Sequence, residues 1–272
     1  RDTDRSRGLG DVYKRQGNAA LDRSWAELPA ASGGSLTELV RLITDVPTID
    51  GYAPRNYAMG YDRAKKAALW VAYPMHGYYT SGSAGSSSFT KDPDLPSEDQ
   101  MGGTFATTYN RGHQLPNADR KVSSLANKQV YYYSNMTPQI ASFNSPIWAA
   151  LEGNVRTKWI CSDTLYVVTG CHFDGSETTA TDKSGQVCPV PTQYYKVLLR
   201  TRSGATGKAV ADCTAAELKC IGFWYEHNTD SGQTPATCAC TVSEIEARTG
   251  LTFFVNVPTA PKSVADPSDW EL

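Results

Sequence analysis

The segment Tyr109-Asn-Arg-Gly-His-Gln-Leu-Pro116 sets an arginine and a histidine on either side of one glycine. Phosphodiester hydrolysis needs a base for the attacking water, cations for the phosphate and help for the leaving oxygen. His113 has a near-neutral intrinsic pKa and suits the first task. Arg111 can grip phosphate oxygens in a bidentate way. Gly112 permits a close backbone approach or an unusual φ. Taken alone, a histidine in a polar turn is more often structural or merely exposed than catalytic.

Further candidates follow in order along the chain. Tyr133-Ser-Asn-Met-Thr-Pro-Gln139 leads into Phe143-Asn-Ser-Pro-Ile-Trp148 and then Leu151-Glu152. Ser145 followed by Pro146 is a good N-cap and N1 pair, so a helix should start there with Asn144 just before it. Glu152 and Arg156 then fall at an i, i+4 spacing, with Trp148 one turn above. By themselves they read as an ordinary salt-bridged helix face. Asn135 by itself reads as a side chain capping a turn.

Together, Asn110-Arg-Gly-His113, Ser134-Asn-Met-Thr-Pro-Gln139 and the run from Asn144 through Trp148 to Glu152 resemble the DNA/RNA non-specific endonucleases. This is the ββα-metal, or His-Me finger, group that includes endonuclease G. The resemblance continues through Tyr166-Val-Val-Thr-Gly170, Pro191-Thr-Gln-Tyr-Tyr-Lys196 and Ile245-Glu-Ala-Arg-Thr-Gly-Leu251, and covers roughly residues 52–258. It implies His113 as general base and Asn144 as the one protein ligand to Mg²⁺, or alternatively Mn²⁺, with waters completing the shell. Such a shell agrees with the reluctance of Mg²⁺ to dehydrate. It implies that Asn135 and Glu152 hold the metal-bound waters, that Arg156 is a cation near the scissile phosphate, and that Arg111 is the motif arginine. The implied substrates are DNA and RNA, cut with little base specificity, because contacts to phosphate position a strand without reading it.

Two positions depart from the family pattern. The motif usually begins with Asp, where this chain has Asn110. An arginine often precedes an aromatic residue and an Asp-Pro, where this chain has Ser87 ahead of Phe89 and Asp92-Pro93. Lys65, Lys66, Lys91, Arg120 or Lys121 could supply the missing cation, and spacing does not select among them.

The elements that must position these residues read as α+β: a central, mainly antiparallel sheet with packed helices, and a ββα active site formed by the strand near Arg111–Leu115 and the helix after Asn144. Tyr57–Tyr61 and Ala68–Met75 form a hairpin pattern around a polar turn. Leu165–Thr169, Tyr194–Thr201 and Ile221–Tyr225 read as core strands. Residues 80–104, rich in Ser, Gly, Pro and Asp, read as a long surface loop. Ser243-Glu-Ile-Glu246 reads as a capping-box start and Gly250 as the stop of a short helix. Residues 1–16 read as a tail foreign to the fold and 17–35 as a flexible lead-in, leaving one nuclease domain over 36–272.

Composition bounds the rest. The chain has 272 residues with a formal net charge of −2, so nucleic acid would have to meet a local basic patch. The seven cysteines lack zinc-like or thioredoxin-like Cys-x-x-Cys spacing and favour an exported, disulfide-containing protein, periplasmic or extracellular. No run is long enough for a membrane span, and no signal peptide is recognisable. Oligomeric state is not legible. Gly204-Ala-Thr-Gly-Lys208 lacks the spacing of a phosphate loop. The sequon at Asn135 should be enclosed, His172 beside Cys171 lacks a second ligand pair, and His76 and His227 read as structural. Two other classes remain open: a catalytically weak nucleic-acid-binding relative, and a cysteine-stapled interaction protein.

Overall fold

The computed structural model describes residues 21–49, 51, 53–106 and 109–272; the charged segment 1–16 lies outside them. Largely apolar runs build a seven-stranded sheet whose central strands are buried on both faces. Its strands are β1 (Thr37–Leu42), β2 (Arg55–Asp62), β3 (Ala67–Met75), β6 (Leu165–His172), β9 (Gln193–Thr201), β10 (Leu218–Glu226) and β11 (Ala239–Cys240), in the order β1-β2-β3-β6-β9-β10-β11. Every neighbouring pair is antiparallel. Two ribbons flank the sheet: β4 (Tyr109–His113) with β5 (Met136–Ile140), and β7 (Thr179–Thr181) with β8 (Val187–Pro189). The helices are α1 (Gly77–Thr80), α2 (Ser124–Val130), α3 (Ala149–Asn154) and α4 (Val242–Thr249). The expected hairpin and all three expected core strands are present, and the fold is α+β. No helix among the described residues is long and apolar enough to cross a membrane.

The period-two alternation of each strand divides the interior into two cores. Tyr73, Val167, Leu198 and Phe223 point to one face, where Trp148, Leu151, Val155 and Trp159 of the α3 region cover them. Trp70, Val168, Val197 and Cys220 point to the other, covered by Val242 and Ile245 of α4 together with Phe253 and Phe254. The sheet is therefore the rigid floor on which the α3 region is held.

Three expectations need correction and one is refined. The lead-in is packed from at least residue 21: Trp25 and Leu28 are buried, the Arg55 guanidinium lies 4.4 Å from the Trp25 ring centroid, and Arg55 pairs with the buried Glu27 at 2.9 Å. Two anchors and one enclosed ion pair suffice where composition suggested too few. The 80–104 stretch is the expected, mostly exposed loop, but a few buried residues dock it firmly. Asp92 is buried, pairs with Arg41 and accepts a hydrogen bond from Ser134, while the Thr90 backbone bonds to Tyr131 and Tyr133. The capping box of α4 is Thr241 with Glu244, not Ser243 with Glu246; Gly250 does close the helix at φ 71°. All seven cysteines are free thiols, so the expected disulfides are not formed. Cys171, Cys188, Cys213 and Cys220 are buried in apolar clusters, where a thiol packs as a small hydrophobe.

Candidate active site

β4 delivers Arg111 and His113, and β5 fixes their register. Arg111 lies opposite Pro138, Gly112 opposite Thr137 and His113 opposite Met136. Gly112 is needed for space: a Cβ there would sit 2.1 Å from Oε1 of Gln139, whose side chain crosses it. The chain leaves β4 under the control of Asn135. Its Oδ1 accepts from the Leu115 N–H at 3.0 Å, and its Nδ2 donates to the carbonyls of Leu115 at 3.0 Å and Val130 at 2.9 Å. Asn135 is fully buried, which also encloses the sequon. Its amide is spent on the backbone, as its turn-capping reading anticipated, and it locks the segment that follows His113.

His113 stands in an aromatic enclosure. Its ring centroid is 5.4 Å from that of Phe89 and 4.9 Å from that of Tyr131, the latter edge to face. Nε2 is shielded and has no hydrogen-bond partner among the described residues. Burial, with the Arg111 guanidinium adding to it, brings the imidazole down to about 4. The ring is thus neutral and can accept a proton at physiological pH. Arg111 stacks on Phe89, its guanidinium carbon 3.8 Å from the centroid. Phe89, a marker residue at the sequence level, therefore positions both motif side chains.

Asn144 lies in the turn between β5 and α3. The backbone is extended at Ser145 (φ −148°, ψ 124°), and the helical run resumes from Pro146 through α3 to Trp159, wound in wider π-type turns at both ends. The helical run restarts at Pro146 as expected, but Ser145 makes no side-chain cap bond among the described residues and is an extended break within a run that already begins before it. The Asn144 side chain is half-buried and makes no hydrogen bond to the described residues. His227 steadies the approach to this turn: its Nε2 accepts from the Ile140 N–H at 2.8 Å, and Nδ1 donates to the Pro191 carbonyl at 2.7 Å. It is a satisfied structural histidine, as expected, and His76 likewise caps α1.

Glu152 and Arg156 do not form a simple pair on the helix. Arg156 bonds to Asp119, which is buried in the short turn Asn117–Asp119 that follows β4. The fully buried Lys196 of β9 donates to Thr169 Oγ1 at 3.0 Å and lies 4.7 Å from the Trp148 ring centroid. Burial raises the Glu152 carboxyl despite the Lys196 ammonium, with Asp119 pushing the same way. Burial lowers Lys196, opposed by Glu152 and Asp119. Sequence reasoning missed Asp119, which carries no motif signal. Lys196 stood at the end of a family-like run but had no role assigned to it.

The five surrogate cations can now be sorted. Arg120 is fully buried and donates to Asn56, Pro74 and Asp119, so it is structural. Lys65 pairs with Asp62, Lys66 reaches Glu98 and Gln186, Lys91 bonds to Ser97, and Lys121 to Ala84 and Asn117. None is aimed at His113 by these contacts. The phosphate-loop-like Gly204–Lys208 directs its Thr206 and Gly207 amides at the Asp163 carboxylate.

The donor set bears on a metal. Among the described residues no three His, Cys, Asp or Glu side chains converge to hold an ion. The absence of such a cluster speaks against a four-ligand site of the zinc kind, and an amide oxygen such as that of Asn144 suits a hard, largely hydrated cation.

A model of the family described as DNA/RNA non-specific endonuclease matches residues 44–260. The chain is 30% identical over 216 residues to a nuclease of Serratia marcescens, covering 74% of each chain. It is 29% identical over 216 residues to Nuclease C1 of Cunninghamella echinulata var. echinulata, covering 73% of this chain and 80% of that one. With the human mitochondrial nuclease EXOG it shares 28% identity, spanning 55% of that protein. The fold matches a chain from the crystal structure of the EndoG/EndoGI complex with a TM-score of 0.63 at 22% identity, over 83% of this chain and 92% of that one. The family match and the nuclease relatives thus define a hydrolase of nucleic acids. The chain belongs to the DNA/RNA non-specific endonuclease family and is an endonuclease.

Proposed function

We propose that the protein is a Mg²⁺-dependent endonuclease that hydrolyses internal phosphodiesters of DNA and RNA with little sequence preference. The observation that carries this reading is His113: a neutral imidazole, enclosed by Phe89 and Tyr131, with no partner for Nε2 among the described residues and with Arg111 alongside. No described residue hydrogen-bonds that nitrogen, which suits it to take a proton from water. Arg111, stiffened on Phe89, would bind a phosphate oxygen. Arg156, only partly exposed and anchored by Asp119, would supply a second cation close to the scissile phosphate.

Asn144 would hold the metal through its amide oxygen, and Glu152 would orient metal-bound water. When bound, Mg²⁺ supplies Lewis-acid stabilisation of the charge that develops on phosphate and leaving oxygens. Asn135 enters as a positioning residue that fixes the chain after His113. Cleavage should leave 5′-phosphates, by analogy with the family. Export of the enzyme rests on the cysteine count alone, since the thiols are unpaired.

The weak-relative reading finds no support at Asn110. Its side chain is exposed and makes no hydrogen bond to the described residues, so the missing carboxylate breaks no contact. The test of metal dependence is plasmid and RNA digestion after EDTA treatment and back-titration with Mg²⁺ or Mn²⁺. The proposal expects cleavage to vanish and return with the ion; full activity in EDTA would contradict it.

A further inference from the structure

Arg200 and Lys219 face each other directly across β9 and β10, and both are at least nine-tenths buried, with 8% of each residue exposed. Like charges in register on adjacent strands repel, and burial strengthens the repulsion. Such a pair is normally relieved by carboxylates, yet neither cation forms an ion pair among the described residues. Arg200 donates to the carbonyls of Thr201 at 3.1 Å and Trp159 at 2.6 Å, and its Nη2 makes no hydrogen bond among the described residues. Lys219 donates to the backbone carbonyl of Asp269, whose carboxylate is taken by Arg202.

Both cations line a cavity of about 300 Å³ at the C-terminal end of the α3 region, with the exposed Lys158 and Glu271 also at its wall. Gly204, at φ +77°, makes room for it: a Cβ there would lie 2.4 Å from Arg200 Nη2. Along β9, Tyr194 and Leu198 pack in the core beneath the α3 region, and Arg200 continues the same alternation. The cavity therefore opens on the face of the sheet that carries the candidate active site, roughly 13 Å along the strand from Lys196. Burial and the neighbouring Arg200 charge lower the Lys219 pKa, only partly offset by the Asp269 carboxylate at the cavity wall.

We propose that this cavity is a second, non-catalytic anion site that takes a phosphate group between Arg200 and Lys219. The phosphate comes either from the backbone of a bound strand or from free phosphate. The inference stands apart from the catalytic reading, because its first test involves no cleavage. The full chain, without added metal, is melted in sodium phosphate and in sodium chloride at matched ionic strength. Phosphate should raise the Tm by at least about 2 °C over chloride. Lys219→Met should melt no lower than the natural protein in chloride, because a repulsion is relieved, and should lose the phosphate response. Lys158→Ala, at an exposed position, should fold normally and keep a reduced response. No phosphate effect on the natural protein, or an undiminished effect in both variants, overturns the site. Binding of a single-stranded oligonucleotide in EDTA distinguishes the sources. A salt slope smaller by about 0.7 in Lys219→Met identifies a strand phosphate. An unchanged slope beside a lost thermal response identifies free phosphate.

Discussion

Arg156 and Asp119 form an ion pair that ties the helical run carrying Glu152 to the turn just downstream of His113. Its carboxylate is fully buried and its guanidinium partly exposed, so one end is rigid while the other can still meet a ligand. The two halves of the candidate site are thereby linked through side chains as well as through β4 and β5. Asp119→Asn should loosen Arg156 and lower kcat at least ~10-fold, with a stability loss of about 1–3 kcal/mol. Asp119→Ala with unchanged kcat would remove this pair from the account.

The pH profile follows from two opposite shifts. His113 is brought down to about 4, so the base is free across the neutral and mildly acidic range and should give no limb near the ordinary ~6.5. Glu152 is raised by burial, so an acidic limb above the ordinary carboxylate range belongs to it. Glu152→Gln should abolish that limb; a limb that survives the substitution contradicts the assignment. For stability, the unfolded chain protonates His113 first. Its contribution is complete above the unfolded value and lost as pH falls toward 4. Glu152 acts in the reverse sense, its contribution lost as pH rises through its raised value.

Asn144→Ala should raise the Mg²⁺ concentration for half-maximal activity, or collapse the rate, while changing nucleic-acid affinity little. The comparison is a metal titration of cleavage beside oligonucleotide binding in EDTA. Equal loss in both would speak against a ligand role.

Asn110→Asp adds a carboxylate at an exposed position. It should alter the rate far less than loss of His113 does, with a small upward shift of the imidazole pKa, since a nearby negative charge favours the protonated ring. A natural protein that is inert until Asn110→Asp restores cleavage would favour the binding-only reading.

What could be read from the chain follows the range of the forces involved. Short runs rich in apolar and β-prone residues marked the hairpin of β2 and β3 and the cores of β6, β9 and β10, because strands buried on both faces carry that composition in their own residues. Helix punctuation at Ser145-Pro146 and Gly250 was equally local. The aromatic enclosure of His113 was not legible: Phe89 arrives from a Ser- and Gly-rich stretch whose docking depends on Asp92, Arg41 and Ser134, distant in sequence. The partner of Arg156 was misjudged for the same reason, as an i, i+4 spacing suggests Glu152 while folding supplies Asp119. At Asn135 the local capping rule was legible, since its amide bonds the backbone of Leu115 and Val130.

The most direct test of the central claim compares the natural protein with His113→Ala in digestion of plasmid DNA and RNA at saturating Mg²⁺. Thermal melting of both proteins runs in parallel. Loss of the imidazole from between Phe89 and Tyr131 should cost about 1–2 kcal/mol of stability and leave the fold intact. The cleavage rate should fall at least ~10²-fold on both substrates, the low end of what a positioned general base contributes. Near-natural turnover by a folded His113→Ala protein would contradict the account.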